Sequence, residues 1–88
     1  MHEASLMDSL MFAINQSARA HGAKRVKWVR VRIGAHCHLS AAHLQHHYDE
    51  AAAGTVAEGA QLEIIQDDNE TSPHADIVVL DSLEIETD

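Results

Sequence analysis

The sequence predicts an α/β (α+β) fold: a two-layer sandwich of two helices on one face of a three-stranded mixed sheet, in the order α-β-α-β-β. Three observations carry this. Apolar residues recur at helical spacing in two segments and alternate in three others. Glycines and one polar, proline-bearing stretch separate those segments. The length, 88 residues, suits one small domain with a single core.

Residues 3–21 read as the first helix. Leu6, Leu10, Phe12, Ala13, Ile14 and Ala18 recur near the 3.6-residue period, and Met7 and Met11 widen the stripe. Gly22 closes it as a left-handed C′ residue. Residues 25–33 read as a strand, with Val29, Val31 and Ile33 alternating against Arg30 and Arg32. Val26 is out of phase with that set, which points to a bulge or a late start near Lys27. Gly34 ends the strand.

Residues 41–53 read as the second helix. Ser40 is its N-cap, Leu39 and Leu44 form a hydrophobic staple, and Gly54 ends it. Leu44, Tyr48, Ala51 and Ala52 form its buried stripe. Residues 60–66 read as the second strand, with Leu62 and Ile64 on one face. Residues 67–76 hold no large apolar residue and the only proline, and so form a loop. Residues 77–86 read as the third strand. Leu83 and Ile85 alternate with Glu84 and Glu86, whereas Ile77 to Leu80 is apolar on both faces. Those four residues are either a patch for a partner or second copy, or ordinary burial under the loop.

The open sheet face then carries Trp28, Arg30 and Arg32 with Gln61, Glu63, Glu84 and Glu86. The arginine pair opposite a glutamate pair implies cross-strand ion pairs of about 0.2–1 kcal/mol each. Only Phe12, Trp28 and Tyr48 are aromatic, so the core is aliphatic.

Charge and composition exclude several functions. Six Lys and Arg oppose 14 Asp and Glu, for a net charge of -8, and no cation follows Arg32. Phosphate neutralisation needs a basic surface, so no nucleic-acid partner is expected. No apolar run approaches the ~20 residues that span a bilayer, so no membrane partner is expected either. The N-terminus lacks a secretory pattern. Cys37 is the only cysteine and cannot form an internal disulfide, which favours a reducing, cytoplasmic setting. The four glycines are scattered, so there is no phosphate loop. Catalysis by a Cys/His pair needs an oriented base and a cleft that the chain does not advertise, so no enzyme is expected.

The first residues, Met1-His2-Glu3, carry chemistry of their own. Methionine aminopeptidases need a small second residue, so Met1 is expected to stay and leave a free α-amine. The amine, the His2 backbone nitrogen and the His2 ring nitrogen can close adjacent chelate rings, and the Glu3 amide offers a fourth nitrogen. Four nitrogens in a plane suit Ni(II) or Cu(II) better than Zn(II). The spacing alone fits a solvent-exposed histidine beside a helix start equally well.

The chain resembles the HypA/HybF family of nickel chaperones for [NiFe]-hydrogenase maturation. The resemblance runs through Met1-His2-Glu3-Ala4-Ser5-Leu6, His21 to Val26, Val29 to Gly34, Ala52 to Val56, Glu58 to Ile64 and Ser82 to Glu86, in family order. It implies one nickel-binding domain over residues 1–88, with Met1, His2 and Glu3 as Ni(II) ligands. It implies partners among the [NiFe]-hydrogenase large subunit and its maturation factors, a HypB-like GTPase included. In the family a zinc-binding subdomain with two Cys-x-x-Cys pairs is inserted between the second and third strands. Here loop 67–76 replaces it without a cysteine, so no structural zinc is expected. An interaction module that docks without transferring metal is the alternative. A spare sheet edge leaves a homodimer open.

Eight histidines stand in the chain, five of them between His36 and His47. His43 and His47 are i and i+4 on the second helix, with His46 and Glu50 on the same face. His43, His46 and His47 form a candidate second metal site, with Cys37 or His38 at the helix entrance. The family places no ligand here, and solvated histidines on an acidic surface are the other reading. Cys37 itself reads as a small, partly buried hydrophobe.

Overall fold

A computed structural model describes residues 3–37 and 39–88. The elements follow the order α1 (Glu3–Ala20), β1 (Arg25–Ile33), α2 (Ala41–Ala52), β2 (Gln61–Gln66) and β3 (Val78–Glu86). The sheet order is β2-β1-β3, with β2 parallel and β3 antiparallel to β1. A parallel pair needs a crossover, and α2 supplies it. The α+β sandwich with a mixed sheet is therefore the architecture.

Each boundary has a local cause. Gly22 sits at φ +67, while Gly22 N–H donates to the Arg19 carbonyl and Ala23 N–H to that of Ala18, at 3.2 and 2.9 Å. That pattern is a Schellman motif. It makes His21 the C-cap, so α1 stops at Ala20 rather than at 21. The Ser40 hydroxyl accepts from the His43 N–H at 3.1 Å, which caps α2. Ala53 turns to ψ 128, ending α2 one residue before the expected 53. Ile77 N–H is held by the His74 carbonyl at 3.2 Å, so Ile77 completes the loop and β3 starts at Val78.

Two bulges make the hydrophobic pattern consistent. Val26 pairs with Ile85 and Trp28 with Glu84, leaving Lys27 as the extra residue in β1. Val26 and Val29 therefore both point inward, 2% and 0% exposed. Arg30 pairs with Ser82 and Val31 with Leu80, leaving Asp81 as the extra residue in β3. That second bulge explains the two-faced run before it. Val78 and Leu80 pack against the core, as Leu83 and Ile85 do beyond the bulge. Val79 stays on the open face beside Arg32.

The core lies between this sheet face and the helices. Met7, Leu10, Met11, Ile14 and Ala18 from α1 meet Leu44, Tyr48 and Ala52 from α2 over Val26, Val29, Val31 and Ile33. Phe12 is the exception to the expected stripe: it is 67% exposed. It follows Met11 by 100° around the helix, which carries it off the inward face.

On the open face the charges pair, with one correction to the expected partners. Arg30 meets Glu63 at 3.2 Å, but Arg32 meets the bulge residue Asp81 at 3.6 Å. Glu84 and Glu86 are taken by Lys27 and Arg25 instead, at 3.5 and 3.0 Å. The bulges shift the register that a regular ladder would give.

Candidate metal centre

The chain offers two histidine-bearing regions and an N-terminus. Met1 and His2, two of the three expected nickel ligands, lie outside the described residues, as does His38. Glu3 is the first residue of α1.

The first turns of α1 run beside α2. Met7, Asp8, His47, Glu50 and Ala51 line a surface cleft of about 280 Å3. Met7 is buried and anchors α1 there, and Asp8 and Glu50 share the cleft's lining with His47. This juxtaposition was not legible in the sequence. The only signal for it was Met7 falling on the apolar stripe of α1, which puts the first turns of that helix against its neighbour.

The histidine face of α2 forms as its spacing requires. The His43 and His47 rings stand 5.6 Å apart between centroids, and those of His46 and His47 5.7 Å. His46 Nε2 is 2.6 Å from Glu50 Oε1. Among the described residues, no group of three or more His, Cys, Asp or Glu side chains converges as a metal site.

The third region is the loop against the end of β1. His36 places Nδ1 3.4 Å from Asp76 and Nε2 3.8 Å from Glu70. Its N–H donates to the Ala75 carbonyl at 2.8 Å, and Gly34 N–H donates to that of Ile77 at 2.9 Å. Loop 67–76 is thus tied down by backbone rather than by apolar bulk. Cys37 is partly buried against the core. Burial pushes its thiol above the ordinary value, with the Asp76 carboxylate adding to the rise against a hydrogen bond at Gly34. A raised thiol is a poor nucleophile and a poor metal ligand at neutral pH.

A small α+β domain with a helix leading into a mixed three-stranded sheet and three histidines along its second helix is the class defined so far. The family model described as "Hydrogenase/urease nickel incorporation, metallochaperone, hypA" matches residues 1–72. The chain belongs to the HypA family. It is 42% identical over 64 residues to the hydrogenase maturation factor HypA of Nitrosospira multiformis, covering 73% of this chain and 56% of that one. It is 44% identical over 64 residues to HypA of Rhizobium leguminosarum bv. viciae, covering 73% and 57%. The chain thus spans less than three fifths of the length of these relatives. The solution structure of the Ni metallochaperone HypA from Helicobacter pylori superposes with a TM-score of 0.82 at 17% identity, covering 100% of each chain. That likeness concerns the fold. The family match ends inside loop 67–76, where the third strand's approach begins. Among the described residues no helix is long and apolar enough to cross a membrane.

Proposed function

We propose that this chain is a nickel metallochaperone-like protein that captures Ni(II) at its N-terminus and assists nickel delivery during [NiFe]-hydrogenase maturation. The observation that carries the reading is the family match, which begins at residue 1 and so takes in Met1-His2-Glu3. The Met1 amine, the His2 amide and ring nitrogens, and the Glu3 backbone amide supply four nitrogens, a donor set suited to planar Ni(II). The metal is cargo, and the protein is not an enzyme. Residues 1–88 act as one nickel-binding domain without structural zinc, because loop 67–76 has no cysteine. The acceptor is a [NiFe]-hydrogenase large subunit or a maturation factor such as a HypB-like GTPase, in the cytoplasm. Amide ligation releases protons, so capture weakens as pH falls.

The short, cysteine-free loop favours one second reading: a module that docks on those partners without transferring metal.

The test is nickel titration of protein with no residue before Met1, beside His2→Ala and a Gly-Ser-extended form. Binding heat and the spectrum of planar, diamagnetic Ni(II) are read together. The native protein is expected to take up one planar nickel, and both variants to lose that species. Identical spectra and stoichiometry in all three would overturn the N-terminal assignment. A native protein that forms no planar species would favour docking.

A further inference from the structure

We infer that the outward face of α1 is a self-association surface, on which a second copy of this chain lays its own α1 antiparallel. The face is a stripe of Asp8, Phe12, Asn15, Gln16 and Arg19. At about 100° per residue these five fall within an arc of roughly 100°, opposite the inward stripe that holds Leu10 and Ile14. Phe12 stands at the middle of the stripe, 67% exposed. Among the described residues, Phe12 and Val56 are the two exposed large apolar side chains. They border two clefts that share Asn15 and Arg19, so the patch is continuous. A patch of that kind on a small domain marks a contact surface.

Charge decides the occupant. Asp8 and Arg19 stand at the two ends of the stripe. Among the described residues neither has an ion-pair partner, although each of the other five Lys and Arg side chains has one. The stripe is thus acidic at one end, basic at the other and apolar between, which makes it complementary to its own copy turned end for end. A twofold axis crossing α1 between residues 13 and 14 pairs Asp8 with Arg19 of the second copy, and Arg19 with its Asp8. The same operation sets Phe12 opposite Asn15 of the second copy. There Phe12, Asn15, Gln16 and Arg19 line a cleft of about 170 Å3, and each ring enters the other copy's cleft. Antiparallel helices also set the positive end of one helix dipole beside the negative end of the other. A parallel pairing would oppose like charges at both ends.

The net charge of -8 works against association. One helix pair also falls below about 1,200 Å2 of total buried surface, the low end for specific contacts. The dimer is therefore weak and reversible. Its geometry has one consequence that rests on the nickel-capture reading. The first residues of the two α1 helices stand about 30 Å apart, at opposite ends of the dimer. One ion is not shared between copies, and each copy loads on its own.

The test is sedimentation equilibrium of the full, nickel-free chain from about 10 μM to about 1 mM. The protein is expected to pass from monomer to dimer across that range. Phe12→Ser should weaken the dimer at least ~10-fold. Arg19→Asp and Asp8→Arg should each stay monomeric, because each opposes like charges at both ends of the contact. An equimolar mixture of the two should dimerise as the parent does, since every pair is then restored. All three positions are exposed, so circular dichroism of the dilute variants should match the parent and separate a lost contact from a lost fold. A parent that stays monomeric throughout overturns the second copy as occupant and leaves the stripe to a different protein. A dimer that all three variants leave intact, or a mixture that does not recover, overturns the α1 contact. Failure of nickel capture leaves these results untouched, because no metal is present.

Discussion

The Tyr48 hydroxyl donates to the Ala57 carbonyl oxygen at 3.2 Å, inside the core. The contact ties α2 to the turn that follows it. Tyr48 is 1% exposed, and burial, with a smaller push from the Asp49 carboxylate, raises its phenol from 10.0 to about 12. A group with a raised folded-state value keeps its full contribution below the unfolded value and loses it as pH rises toward the folded one. The folded protein should therefore lose about 2–3 kcal/mol between roughly pH 10 and 12 through this residue alone. Tyr48→Phe removes the titration together with one hydrogen bond of about 1 kcal/mol. Urea denaturation of both forms from pH 8 to 11.5 should show Phe less stable at pH 8 and the gap closing or reversing above pH 10. Parallel curves would rule this out.

Gly34 needs its hydrogen. A methyl there would overlap the backbone carbonyl oxygens of His74 and Ala75, and backbone cannot swing aside as a long side chain can. Loop 67–76 would have to lift off the end of β1, pulling buried Ala75 and the His36–Ala75 hydrogen bond with it. Gly34→Ala should cost about 1–3 kcal/mol. Amide exchange should quicken around residues 67–77 before it does in β1. Gly59, by contrast, sits at φ +78 with open space beside it, so its alanine variant should cost about 1 kcal/mol from backbone strain and leave the loop unaffected.

Periodicity made the elements legible to within a residue or two, because each boundary is set by a local device: Gly22, Ser40 and Gly34 are all readable in one dimension. The bulge near Lys27 was legible for the same reason, since Val26 breaks the alternation of Val29, Val31 and Ile33. The bulge at Asp81 was not. It follows Ile77-Val78-Val79-Leu80, where every residue is apolar and no phase can be read, so only pairing with β1 reveals which side is inside. The α2 histidine face was legible from spacing. The His46–Glu50 contact at 2.6 Å was not, because it depends on which rotamers the two side chains take. The cleft between Asp8 and His47 joins residues far apart in sequence, and no local pattern encodes it.

The sequence pairs Arg30 and Arg32 with glutamates across the sheet, and in the structure five of the six cations meet carboxylates: Lys24 with Asp88, Arg25 with Glu86, Lys27 with Glu84, Arg30 with Glu63 and Arg32 with Asp81. Arg30 is the instructive member. Its Nη2 donates to Glu63 Oε2 at 3.3 Å, and its guanidinium carbon also lies 5.4 Å from the Trp28 ring centroid. Arg30 and Glu63 side chains are 38% and 53% exposed, so water and salt screen the ion pair, while stacking on the indole is screened less. A double-mutant cycle on Arg30→Ala and Glu63→Ala should give a coupling of under about 1 kcal/mol, shrinking further in 1 M NaCl. Arg30→Ala alone should cost about 0.5–1 kcal/mol more than Glu63→Ala, since only the arginine loses the indole contact. Trp28→Leu should erase that excess. If the two single substitutions cost the same and respond to salt alike, the ion pair alone accounts for Arg30, and the indole contributes nothing to holding it.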